Sequence, residues 1–163
     1  MSRAKSYVEF LSDTVASGTI MGVSRGSALA DLEMAIGDNG YIDDVDRKGT
    51  VLRRDYGLCE FSFSRTESLD WFCTGAMIQS HRLSYDREIP GNIAKIYGEF
   101  PTVIVLSELQ RGLEGRGIEI HPLDIEGGSY KYYGSNVSSA RIIVDEEAGT
   151  DSGIIWSVSA WWE

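Results

Sequence analysis

"GTIMGVSRGSALADLEMAIGDNGYIDDVD", Gly18 to Asp46, sets the layout, because the chain answers it eighty residues later with "GEFPTVIVLSELQRGLEGRGIEIHPLDIE", Gly98 to Glu126. At that shift Gly18 falls on Gly98, Val23 on Val103, Ser27 on Ser107, Leu29 on Leu109, Gly37 on Gly117 and Asp44 on Asp124. Val45 meets Ile125 and Asp46 meets Glu126. Self-similarity at a fixed period signals a structural unit used twice. The local signals agree in kind. Ser27 is placed to cap a helix whose face is Leu29, Leu32 and Ile36, and Gly37 can take the left-handed conformation that stops it. In the second copy Ser107 caps, Leu109 and Leu113 form the stripe, and Gly115 or Gly117 ends it, although Gly112 weakens this helix.

Working outward, "SYVEFLSDTVAS" puts Tyr7, Phe10, Leu11 and Val15 on one helical face, and "GNIAKIYGEF" precedes the second copy. After each helical stretch the apolar period drops to two. "TVLRRDYG", "LCEFSFSR" and "WFCTGAMIQSHRL" follow the first; "GSYKYYGS", "SARIIVDEE" and "IIWSVSAWWE" follow the second. Aromatic and β-branched residues broken by Gly, Ser and Asp read as strands separated by turns. The expectation is an α+β protein of two tandem repeats, residues 1–83 and 84–163, packed as one globular unit. Each repeat is a helix pair on one face of a three- to four-stranded antiparallel sheet. Three of the four tryptophans lie in the final eight residues, and the strand reading accounts for them. Alternation sends Ile154, Trp156, Val158, Ala160 and Trp162 under the helices, and Ile155, Ser157, Ser159 and Trp161 to the open face.

Composition narrows the function classes. No apolar run approaches the roughly 20 residues that cross a bilayer, and "MSRAKSYVEFLSD" has no uninterrupted apolar stretch of a secretion signal, so a cytoplasmic protein is expected. A formal net charge of -10 argues against nucleic-acid or anionic-membrane binding and permits a basic partner. Cys59 and Cys73 make neither a disulfide framework nor a zinc pattern.

The layout resembles the β-lactamase inhibitory protein family, two tandem repeats of a helix pair against a four-stranded antiparallel sheet, and the related single-repeat SmpA/OmlA-type lipoprotein domains. The residues behind the resemblance are "GVSRGSALADLEMAIG" and the "DYGLCEFSF" strand that follows. "YGLCEFSF" leading to "MIQSHRL" also looks like small actinobacterial immunity proteins, which neutralise toxins in the cytoplasm. The inhibitor family is secreted with a disulfide in each repeat, whereas the second half here has no cysteine. What the resemblance implies is a mode of action: an aromatic-lined sheet that clasps another protein.

The residues themselves offer little chemistry. In "GYIDDVDRKG", Asp44, Asp46 and Gly49 fit positions one, three and six of a calcium loop, but Lys48 stands where an oxygen ligand belongs and Asp55 where a Glu does. A solvated acidic turn is expected there, or an acidic contact for a basic partner. His81 shares a strand face with Met77, Gln79 and Cys73, yet Cys73 is eight residues away, roughly 26 Å along a strand, too far for a dyad. His121 precedes Pro122 in an expected loop. "GLEGRG" is no phosphate loop, and no acid/base pair stands out, so neither a catalytic residue, a metal nor a cofactor is implied. The residues favour a binding face. Tyr130 and Tyr132 share one side of their strand, and Met77, Gln79, His81 and Trp161 fall on the open face. Asp43, Asp44, Asp46 and Asp55, with Tyr56, form the acidic rim. The function expected is a non-enzymatic immunity or inhibitor protein, monomeric or homodimeric, that blocks a toxin or enzyme. The alternatives are a small-molecule site or enzyme between the repeats, and a structural homodimer.

Overall fold

In the computed structural model, which describes residues 3, 5–67, 70–86, 88–146 and 153–161, the first helix begins at a reciprocal cap. The Ser6 amide donates to Glu9 (2.7 Å) and the Glu9 amide donates to Ser6 Oγ (3.4 Å), which satisfies two otherwise orphaned donors. Helix α1 runs Tyr7–Ser17 and stops at Gly18 in the left-handed conformation, with φ 67°. Helices α2 (Leu29–Ala35), α3 (Gly91–Tyr97) and α4 (Leu106–Glu114) follow in chain order. The expected serine caps are not used. Ala28 and Val105 precede α2 and α4, and their amides donate to the carboxylates three residues on, Asp31 at 2.9 Å and Glu108 at 3.4 Å. Ser27 Oγ instead accepts from the Ser24 amide (3.0 Å), and Ser107 lies inside α4. The apolar faces of α2 and α4 are spaced alike after these caps, Leu29, Leu32 and Ile36 in one and Leu106, Leu109 and Leu113 in the other, seventy-seven residues apart rather than eighty.

Strands β1 (Ile42–Val45), β2 (Val51–Asp55), β3 (Cys59–Arg65) and β4 (Trp71–Ile78) come between α2 and α3. Strands β5 (Ile120–Pro122), β6 (Tyr130–Ser135), β7 (Arg141–Asp145) and β8 (Ile154–Ser159) follow α4. They form one eight-stranded antiparallel sheet in the order β1-β2-β3-β4-β8-β7-β6-β5. The two outermost strands were not expected from the sequence: an Asp pair obscures β1 and Pro122 shortens β5. β4 is shorter than expected. It ends at Ile78, and His81 sits in a 3-10 turn, Ser80–Ser84, that contains the expected repeat boundary at residue 83. The lead-ins to α2 and α4 lie against the starts of β4 and β8. Cys73 donates to Ser27 O and Ile155 to Ile104 O, each at 2.8 Å.

All four helices cover one sheet face. Phe10, Leu11, Val15, Leu32, Ile93 and Leu109 pack there on Phe61, Phe63, Ile142, Val144, Ile155 and Val158. α1 packs across the molecule onto α4. A Cβ on Gly112 would stand 2.8 Å from Val8 Cγ1 and 2.9 Å from Ser12 Oγ, so the residue that weakens helix propensity is the one that admits α1. The Tyr7 hydroxyl donates to Glu108, and this bond, with burial, pushes its pKa up to about 12. Asp13 accepts from Tyr97 (2.7 Å), Arg116 (2.7 Å) and Lys5 (3.0 Å).

The faces of β8 are not those that strict alternation gives. Ser157 opposes Ile143 and Ile155 opposes Val144, which leaves Trp156 as an extra residue. This bulge lets Ile155 and Val158, three positions apart, both reach the core. It also turns Trp156 out of the core. Trp161 goes the other way: it is 8% exposed, joins the core, and donates Nε1 to Thr74 O at 3.2 Å. Trp162 lies outside the described residues. A second bulge sets Thr74 apart between the Ser62–Gly75 and Phe63–Cys73 pairs of β3 and β4.

Gly112→Ala should cost about 1–3 kcal/mol in chemical unfolding, because Val8 and Ser12 must move. Gly115→Ala, where the nearest atom is 3.6 Å away and φ is -61°, should be neutral or slightly stabilising. Burial pushes the Asp13 carboxyl up, but the Tyr97, Lys5 and Arg116 bonds outweigh it and hold it below the usual Asp value. A depressed folded pKa gives stability that is complete above the unfolded value and lost as pH falls. Acid unfolding of Asp13→Asn should therefore depend less steeply on pH below about 4 than that of the wild type.

Candidate interaction face

The second sheet face carries no helix, and the strand registers fix what lies on it. One row crosses the whole sheet: Ile42, Asp55, Glu60, Met77, Ser159, Arg141, Gly134 and His121. The next row on the second half is Ser157, Ile143 and Tyr132, and beyond it come Asp145 and Tyr130. Ser62, Ser64, Gly75, Ser157 and Ser159 make the middle of the face shallow. An aromatic shoulder rises on the β8–β6 side and a charged one on the β1–β3 side.

The aromatic shoulder is centred on the bulged Trp156. Its ring stacks on His81, with centroids 4.3 Å apart and planes 5° from parallel, and meets Tyr130 edge-on at 5.3 Å. His81 Nδ1 lies 3.0 Å from the Trp156 carbonyl. A carbonyl only accepts, so Nδ1 carries a proton and donates. Tyr85, 70% exposed, extends the cluster past His81 at 6.5 Å. Tyr132 lies beside Tyr130 on the same side of β6, under the close approach of Gly127. Of the expected binding residues, His81, Tyr130, Tyr132 and Met77 thus share this face. Trp156, placed in the core by alternation, is its centre. A one-residue bulge leaves no mark in the apolar pattern of "IIWSVS".

Several other expected contacts are occupied internally. Tyr56 is 3% exposed, packs on Phe61, and donates its hydroxyl to Gly37 O at 2.7 Å. Gln79 is buried and donates to Glu60 (2.7 Å). Trp161 is in the core. Asp43 lies on the helix side of β1 and accepts from Arg54 at 2.8 and 2.9 Å, while Arg54 also donates to Glu33 (3.0 Å) and lies over the Tyr41 ring at 3.7 Å. Asp55 accepts from Arg82 (2.7 and 2.8 Å) and from the Gly57 amide (2.8 Å). Asp46 accepts from the Val51 and Thr50 amides, at 2.9 and 2.7 Å, and those bonds hold its carboxyl below the usual Asp value. Asp44 keeps its side chain 72% exposed, with Arg53 at 3.4 Å.

Neither cysteine is poised as a nucleophile. Burial pushes the Cys73 thiol up to about 11 and the Cys59 thiol further still. Among the described residues, no group of three or more His, Cys, Asp or Glu is placed to hold a metal ion. No described helix is long and apolar enough to cross a membrane. An open groove of about 350 Å³ lies on the helix side, lined by Phe10, Asp13, Tyr97 and Arg116 among others, away from the aromatic shoulder.

No family model matches the chain, and no curated protein matches it. Among solved structures, a DUF4309 family protein (YjgB) from Bacillus subtilis aligns over 93% of both chains at 15% identity, with a TM-score of 0.37. At that distance nothing about fold or activity carries over.

The reversed tryptophans give a direct test in unfolding experiments. Trp161→Ala should cost about 3–5 kcal/mol as a core truncation. Trp156→Ala, which loses only the His81 stack and the Tyr130 edge contact on the helix-free face, should cost less, about 1–2 kcal/mol.

Proposed function

We propose that this chain is a non-enzymatic protein-binding module, an immunity or inhibitor protein that neutralises a toxin or enzyme by covering it with the helix-free face of its sheet. The observation that carries the reading is the cluster of Trp156, His81, Tyr130, Tyr132 and Tyr85 on that face. Aromatic side chains bury large areas at little rotamer cost and dominate binding hot spots. A net charge of -10 speeds encounter with a basic partner.

The finer architecture belongs to the same proposal. We read the chain as two tandem helix-pair and sheet units resembling the β-lactamase inhibitory protein repeats. Support comes from the helix–helix–four-strand order, which occurs twice, and from the shared way the chain enters α2 and α4. The expected acidic rim contracts to Asp44, since Asp43, Asp46 and Asp55 are engaged within the protein.

Tagged protein passed through its host's lysate tests the reading. One stoichiometric partner should be retained by the wild type and lost by Trp156→Ala/Tyr130→Ala. Adding the purified protein at a one-to-one ratio should then abolish that partner's activity. A partner held equally by the double variant, or one whose activity is untouched, contradicts the proposal.

A further inference from the structure

The two edges of the sheet are treated differently. β5 is three residues long and carries Pro122, the ordinary means of blunting an edge. β1 is blunted only by its short length and its two carboxylates: it has no proline, lysine or bulge, and all four of its residues are exposed, with Ile42 at 75% and Val45 at 48%. The direction of its main chain can be deduced. The Asp46 amide donates to Val51 O at 3.0 Å, so Asp46 turns its amide toward β2. Antiparallel pairing alternates, so Asp44 and Ile42 face β2 as well, while Asp43 and Val45 present their N–H and C=O groups outward.

We infer that the β1 edge receives an extended segment of the partner, added as a ninth strand, with basic and apolar side chains alternating along it. The inference rests on the protein-binding reading above but not on the aromatic face. The alternation follows from what a strand beside β1 would meet. On the helix-free side it would run past Asp44, 72% exposed and held only by Arg53 at 3.4 Å, which calls for Lys or Arg, and past Ile42, which takes the aliphatic stem of such a side chain. On the helix side it would meet Val45 and the Asp43 carboxylate already matched by Arg54, which calls for an apolar residue. A second copy of this chain fits poorly. An antiparallel two-fold centred on Asp43 or Asp44 opposes that carboxylate to itself, one centred on Val45 opposes Asp44 to Asp46, and one centred on Ile42 pairs no other residue of β1 with β1.

The probe is a short fluorescent peptide of alternating Val and Lys, compared with its Val and Glu counterpart. The basic peptide should bind the wild-type chain and slow exchange of the Asp43 and Val45 amides, and the acidic peptide should not bind. Val45→Pro removes an outward donor that β2 does not use, so it should keep its melting temperature and lose binding about tenfold. Asp44→Lys should weaken binding several-fold at low salt, and Trp156→Ala/Tyr130→Ala should leave it unchanged. Equal binding of both peptides, no binding of either, unchanged affinity in Val45→Pro, or a wild-type dimer with the Asp43 and Val45 amides already protected would each overturn the inference. If peptide binding fails while the partner is still lost in the aromatic double variant, only the edge inference is refuted.

Discussion

Everything in this structure hangs on a short seam. β4 and β8 pair at only two positions, Met77 with Ser159 and Ile78 with Val158, yet this contact joins two four-stranded meanders into one sheet. Left apart, each meander would expose a second open edge. Neighbouring groups lengthen the seam. The Ala160 amide donates to Ala76 O (2.9 Å) and Trp161 Nε1 to Thr74 O, on one side of the paired positions. On the other side the chain leaves β4 as a 3-10 turn, yet keeps beside β8. There Ser80 Oγ donates to Ile155 O (3.1 Å) and His81 Nδ1 to Trp156 O. The helices reinforce the join from above: α1, which opens the chain, is tied to α3, α4 and Arg116 through Asp13, Tyr7 and the gap at Gly112.

The seam also shapes the face proposed for binding. His81 can stack on Trp156 only because the turn after β4 runs alongside β8, and Trp156 is available only because the bulge opposite Val144 turns it out. The same bulge supplies two core residues, Ile155 and Val158, so packing and display are set by one extra residue. The covered and uncovered faces therefore differ for a local reason. Large apolar groups fill one, while Ser157, Ser159, Ser62 and Gly75 keep the middle of the other low.

Long-period features were legible in the sequence and short-range offsets were not. The α1 face of Phe10, Leu11 and Val15, the stripes of α2 and α4, and six of the eight strands follow from spacing alone, since burial enforces those periods. The shift of eighty gathers identities such as Ser27 with Ser107, but neither hydroxyl caps a helix: Asp31 and Glu108 do that, and the apolar stripes of α2 and α4 that follow lie seventy-seven residues apart. β1 and β5 escaped notice because edge strands tolerate Asp and Pro, residues that argue against strands in a sheet's interior. Trp156 changed sides through a bulge that the pattern cannot encode, and Trp161 because β8 ends at Ser159, two residues before it, so alternation no longer governs its side. Tyr56 and Gln79 have the composition of a contact patch, and only tertiary partners, Gly37 O and Glu60, reveal that they are internal.

The most direct measurement is native-state hydrogen exchange of the Ala160 amide, which crosses the seam to Ala76 O. If the two meanders are one cooperative sheet, this amide exchanges as slowly as the interior amides of β3 and β7 and with the same dependence on denaturant. Exchange through a smaller opening, while β3 and β7 stay protected, would mean that the halves separate, and would contradict the account of a single sheet presenting a single face.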